Sequence, residues 1–155
     1  HTHRDLEHFK PLVKVKKSVT KPAAYSFAAT EERLIKLLKR HRIPMHRLKD
    51  AQKTETETYL VKHVPEANDE EKPTYAIDLD KRNQLETLQK GTIIVPVSGA
   101  ASTLIPLLLE PESTWGIVSP RATGKYRFES YLLEGKPYPV KRLSSIEEIV
   151  AELVH

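Results

Sequence analysis

Apolar and polar positions recur with two different periods along this chain, and the changes of period divide it into elements. Val13, Val15 and Val19 interleave with Lys14, Lys16 and Lys17, a period of two that suits a short exposed strand. This lies within residues 1–21, which read as a linker or the end of a preceding domain. Residues 23–28 predict a strand with Tyr25 and Phe27 on one face. Thr30 is then a natural helix cap, with Glu31 and Glu32 in the first turn. Leu34, Ile35, Leu37 and Leu38 follow at helical spacing, opposite Arg33, Lys36, Lys39 and Arg40, and the helix should stop before Pro44.

Residues 45–48 and 54–64 predict two strands, the second placing Tyr59, Val61 and His63 on one face. An acidic loop follows over 65–73. Strands are expected at 75–79 and 92–97, then a buried helix over 100–109 that must hold Pro106 in its first turn or kink there. Residues 115–118 read as extended and 126–133 as a strand. Residues 144–153 read as a closing amphipathic helix, with Ser145 and Glu148 as a capping box and Ile146, Ile149, Val150 and Leu153 on one stripe. Strands and helices mix irregularly. The expected class is α+β: a mixed or antiparallel sheet of about five to six short strands with two to three helices, in a single domain over 22–155.

Composition narrows the function classes. The chain has 155 residues, 39% apolar and 30% charged, enough for a proper core. Its longest apolar run, residues 104–109, falls far short of the roughly 18 to 20 residues of a membrane-spanning helix and contains Pro106, so no membrane span is expected. The absence of cysteine removes disulfides and every cysteine-based metal site. Five glycines supply neither a phosphate loop nor a dinucleotide fingerprint. The opening His-Thr-His-Arg-Asp has no secretion signal and reads as part of a longer protein.

The net charge of +4 is unevenly spread. Residues 1–50 hold 13 Lys and Arg against 5 Asp and Glu, while the rest of the chain is slightly acidic. A basic first third suits an anionic polymer, through Lys14, Lys16, Lys17, Arg40, Arg42 and Arg47. A solvated helix face explains the same charges. Aromatics are not interleaved with cations on one face, so a nucleic-acid reader is not expected.

The tightest metal candidate is His63-Val64-Pro65-Glu66, where an imidazole and a carboxylate can turn onto one zinc ion if a third ligand comes from elsewhere. The only later histidine is His155, so a surface histidine entering a loop is the simpler account. Ser98 sits between a strand and a helix, but Pro96-Val97-Ser98-Gly99-Ala100 is not a nucleophile elbow and Ser98 reads as a helix cap. No catalytic set emerges.

One order of segments is distinctive. Val19-Thr20-Lys21-Pro22 leads to Ala24-Tyr25. Later come Gly91-Thr92-Ile93-Ile94-Val95-Pro96, Leu107-Leu108-Leu109-Glu110-Pro111-Glu112-Ser113 with Trp115-Gly116, and Tyr138-Pro139-Val140-Lys141-Arg142-Leu143. Over residues 19–143 this resembles the segment that follows the catalytic domain in bacterial zinc carboxypeptidases of the carboxypeptidase A-like family. The chain departs from that pattern at Ser98-Gly99-Ala100, where the family has a Gln-Pro pair, and it lacks the Asp-Ser-Leu-Val stretch after Glu-Pro-Glu-Ser.

The resemblance implies a secreted or periplasmic metallopeptidase as parent, with zinc in a catalytic domain outside this chain. No catalytic residue carries over to this sequence. The expected role is a non-catalytic accessory domain whose partner is the peptidase domain of the same parent. Trp115, Ile117 and the Leu107 to Leu109 helix are the apolar candidates for its interaction surface, with internal packing the simpler account for the leucines, and Arg40, Arg42 and Arg47 are the charged ones.

Overall fold

The computed structural model describes residues 21–64, 77–113, 116–118 and 128–155. Seven strands form one sheet: β1 (Ala24–Phe27), β2 (His46–Leu48), β3 (Gln52–His63), β4 (Asp78–Leu88), β5 (Ile93–Pro96), β6 (Lys141–Leu143) and β7 (Ala151–Leu153). Two α-helices, α1 (Glu32–Arg40) and α2 (Leu104–Leu109), and short 3-10 turns at Gly99–Ala101 and Glu129–Tyr131 complete the described elements. The strand order is β4-β3-β6-β1-β5-β2-β7, and every pairing is antiparallel. The fold is α+β and dominated by its sheet, with one strand more than the pattern predicts.

Strand alternation sends β1 to both sides of the sheet. Tyr25 and Phe27 join Ile93, Val95, Tyr59 and Val61 in the principal core, which also takes Leu34, Leu37 and Leu38 from α1 and Ile105 and Leu109 from α2. Ala24 faces the other way, into a smaller cluster with Leu48, Leu88, Ile94 and Leu143, covered by Ile146, Ile149 and Ala151.

α1 forms because its leucines share one stripe, with Glu32 in the first turn and Lys39 and Arg40 in the last, each favourable to the helix dipole. It begins one residue later than a Thr30 cap implies. Glu31 takes the cap position without a side-chain cap bond, and its carboxylate accepts a hydrogen bond from the Tyr131 hydroxyl at 2.6 Å. The exit is a Schellman turn. The Ile43 amide donates to the Leu38 carbonyl at 3.0 Å and the Arg42 amide to the Lys39 carbonyl at 2.9 Å. Arg42 occupies the left-handed position with φ 57°, where glycine is the unstrained residue.

Three expectations are corrected. First, β4 runs over Asp78–Leu88, so the strand expected at 75–79 overlaps it only at its start, and residues 75–76 lie outside the described ones. Its middle, Lys81 to Leu85, is exposed on both sides and so shows no alternation of apolar residues. Second, residues 117–118 form a turn, and the 3-10 turn at Glu129–Tyr131 occupies part of the strand expected over 126–133; residues 115 and 126–127 lie outside the described residues.

Third, the closing amphipathic helix over 144–153 is a turn followed by β7. The Ser145 hydroxyl accepts the Glu147 amide at 3.4 Å, and β7 pairs with β2 through His46 opposite Leu153 and Leu48 opposite Ala151. The Gln52 side chain holds this turn, donating to the Glu148 carbonyl at 2.6 Å and accepting the Val150 amide at 3.4 Å. Ile146 and Ile149 are partly buried against the smaller cluster, but Val150 and Leu153 of the same stripe are exposed, so the spacing marks only half of the burial and not the conformation.

The helix expected over 100–109 splits into a 3-10 turn and α2, with Pro106 third in α2, where no intrahelical donor is needed. Ser98 precedes the 3-10 turn without a side-chain cap bond.

Candidate functional site

The most chemically loaded place in the described residues is the junction between the end of α2 and strands β1, β6 and β3. α2 ends at Leu109, and Glu110 turns to an extended conformation with its amide still bonded to the Pro106 carbonyl at 3.0 Å. Its side chain goes inward and is 5% exposed. The Tyr25 hydroxyl donates to Glu110 Oε2, and the Tyr59 hydroxyl donates to Oε1 at 3.0 Å. Arg142 Nη1 donates to the Tyr59 oxygen at 2.8 Å and stands 3.5 Å from Glu110 Oε2.

The cluster reaches outward through Glu57, whose Oε1 lies 3.2 Å from Arg142 Nε, and then Lys81 Nζ, 3.7 Å from Glu57 Oε2. Carboxylates and cations therefore alternate from the interior to the surface. Nearby, the Tyr138 hydroxyl donates to the Leu109 carbonyl at 2.7 Å, satisfying a helix-end acceptor.

Burial, and then the Glu110 carboxylate, push the Tyr25 and Tyr59 phenols well above their ordinary range; the Arg142 charge opposes the rise at both. Burial and Glu110 raise Tyr138 likewise. The phenols stay protonated and act as donors. Arg142 is held charged, because Glu110 and the hydrogen bond to Tyr59 outweigh its own desolvation. Both oxygens of Glu110 are thus occupied by donors from the protein itself. Bonded at both oxygens and closed off from solvent, this carboxylate suits a strut between a helix end and three adjacent strands; a general base must face its substrate.

The chain that leaves this junction is also specified locally. Ser113 Oγ donates to the Leu107 carbonyl at 2.6 Å, and the Ile117 amide donates to the Leu108 carbonyl at 2.9 Å. A Cβ at Gly116 would sit 3.0 Å from the Glu110 carbonyl oxygen and 3.2 Å from that of Leu108. Glycine is needed there for close approach.

The residues singled out by sequence fall elsewhere. His63 ends β3 with its side chain 65% exposed and Nδ1 at 3.2 Å from Glu134 Oε1, an oxygen that also accepts the Val64 amide at 3.1 Å. Its observed acidic neighbour is Glu134; Glu66 lies outside the described residues. Among the described residues no group of three or more His, Asp or Glu is placed to hold a metal ion.

Trp115 lies outside the described residues. Ile117 is 2% exposed within the principal core, because the Gly116 approach folds it under the end of α2; the apolar surface expected of it is interior. Arg40 and Arg42 are exposed at the exit of α1, and Arg47 is half-buried on β2 between Glu152 and Ile93. No helix among the described residues is long and apolar enough to cross a membrane.

Sequence reasoning missed Glu110, Arg142 and Glu57 as a unit. The available signal was parity: Glu57 shares a face with Tyr59 and Val61, and Arg142 shares one with Val140, so two charged residues occupy inward positions. Comparison with protein-family models, curated proteins and solved structures gives no match. The likeness over residues 19–143 therefore stands on those residues alone.

Proposed function

We propose that this chain is a non-catalytic accessory domain of a zinc metallocarboxypeptidase-like protein, packing on or supporting the peptidase domain of the same parent. The observation that carries the reading is the position of Glu110. The Leu108 to Ser113 run is the most distinctive part of the resemblance, and the Glu110 carboxylate within it is spent on Tyr25, Tyr59 and Arg142 inside the fold. The described parts of these segments, residues 21–25, 91–96, 107–113 with Gly116, and 138–143, lie at this junction or on the elements around it: β1, β5, α2 and β6. A motif set that converges on internal support suits a domain whose task is shape. On this reading zinc and the catalytic residues belong to the peptidase domain, and the parent is secreted or periplasmic.

The test is removal of residues 22–155 from the parent protein, followed by thermal unfolding and hydrolysis of peptides with varied C-terminal residues. A lower unfolding temperature for the peptidase domain, with no hydrolysis by this chain alone, supports the proposal. Turnover by the isolated chain overturns it. So does an unchanged peptidase domain, and polyanion binding whose affinity falls steeply with salt would then favour the basic-module reading through Arg40, Arg42 and Arg47.

A further inference from the structure

Among the described residues the sheet has two outer edges, and they are finished differently. β4 lines one edge with Asp78, Asp80, Lys81, Arg82 and Glu86, the kind of charged border that discourages pairing with another chain. β7 lines the other. It carries a single charge, Glu152, and the apolar side chains at this edge are open to solvent, Val150 at 61% and Leu153 at 49%.

The inner edge of β7 is taken by β2. The Lys49 amide donates to the Val150 carbonyl at 3.2 Å, the Val154 amide donates to the Met45 carbonyl at 2.8 Å, and Glu152 lies opposite Arg47 between them. Antiparallel ladders alternate, so the N–H and C=O groups of Ala151 and Leu153 point to the outer edge. Lys39 Nζ donates to the next outward carbonyl, that of His155, at 3.2 Å, which marks where the free edge stops.

We propose that the outer edge of β7 is a strand-addition site for an extended protein segment alternating apolar and basic residues. A Lys or Arg would lie opposite Glu152, with apolar residues opposite Ala151 and Leu153 on the other face. Glu147 and Glu148, both exposed in the turn before β7, extend the demand for positive charge. A second copy of this chain fits poorly. The two-fold register that uses both outward residues sets the two Glu152 carboxylates face to face, and like charges directly opposite are destabilising.

So short a strand also buries far less than the roughly 1,200 Å² of a stable free-standing interface. It suits a tethered partner, whose effective concentration is millimolar without any further contact. Resting on the accessory-domain reading, the segment belongs to the peptidase domain of the parent.

The test uses the isotope-labelled chain and two synthetic peptides, one alternating Val and Lys and one with Glu in place of Lys. The Lys peptide is expected to shift the backbone amide signals of Ala151 and Leu153 and to bind at least about tenfold more tightly than the Glu peptide. Leu153→Pro removes one outward N–H while sparing the β2 ladder and should abolish binding. Leu153→Ser keeps the N–H and should only weaken it.

Equal binding of the two peptides, signals that shift elsewhere, or no binding at all overturns the proposal. So does binding that survives Leu153→Pro. Peptide binding at β7 without any association with the peptidase domain leaves this edge site standing and removes the accessory reading. Association with the peptidase domain that is indifferent to Leu153→Pro does the reverse.

Discussion

Two neighbouring residues of β6 point to opposite sides of the sheet, and each meets a carboxylate. Arg142 faces the principal core, where its side chain is 4% exposed beside Glu110 at 6%. Lys141 faces the other side, 32% exposed, and its ammonium bonds Glu86, 17% exposed. The charges are the same and the surroundings are not. At the inner pair, water has been replaced by two phenols and a second carboxylate, so removing one partner strands the other in a medium that cannot solvate it. At the outer pair, solvent remains close enough to take over much of the interaction. Burial, more than charge, is therefore expected to decide what each ion pair of β6 is worth.

The sharpest way to break that contrast is Glu110→Gln. It keeps the shape but leaves Arg142 short of its counter-charge, and about 3–5 kcal/mol of unfolding free energy should be lost by urea denaturation at neutral pH. A loss below about 1 kcal/mol would put the two pairs on equal terms and remove the contrast.

Tyr25→Phe comes next. It deletes a donor to a buried carboxylate, with an expected loss of about 1.5–3 kcal/mol in the same assay. The phenols also give a pH signature. Tyr25, Tyr59, Tyr131 and Tyr138 all have raised folded-state pKa values, so the stability they carry is complete below about pH 10 and falls as pH rises past it. Ultraviolet titration should show these four of the six tyrosines ionising only as the protein unfolds; early, reversible ionisation of all six would contradict the buried cluster.

Lys141→Met should have a smaller effect, within about 1 kcal/mol at neutral pH. Burial raises the Glu86 carboxyl, but the hydrogen bonds from Lys141 and Gln84 outweigh it and the net shift is downward from 4.5. A depressed carboxylate contributes stability above its ordinary pKa and loses it as pH falls through the folded value. The variant should therefore lose less on acidification below about pH 4.5 than the parent chain does. An identical acid limb would show that Lys141 does not hold Glu86. Arg42→Gly touches neither pair and relieves the left-handed residue at the exit of α1, so a gain of about 1 kcal/mol in thermal unfolding is expected.

The parts of the fold that were legible in sequence are those where local and tertiary signals agree. α1 has its leucine stripe and matching end charges, and β1, β3 and β5 alternate or run apolar between breakers. β4 was largely hidden because an edge strand wet on both faces has no reason to alternate. The end of the chain misled because Ile146, Ile149 and Val150 recur at helical spacing, while pairing with β2 and burial against Leu48 and Leu143 favour strand and turn. The Glu110 cluster could not be read at all from local pattern. Its members lie 85 and 51 residues from Glu110 at Tyr25 and Tyr59, and only the sheet order makes them neighbours.

That sheet order has a consequence in time as well as space. β1 lies near the amino-terminal side of the chain, yet its two neighbours are β5, beginning at Ile93, and β6, beginning at Lys141. A ribosome must deliver nearly the whole domain before Tyr25 and Ser26 have a partner on either side of them complete. Such distant pairing is entropically slow to close and leaves apolar surface waiting. Release of a chain that ends before β6 should yield an aggregation-prone fragment, so the smallest unit able to escape chaperones in this molecule extends at least to Leu143.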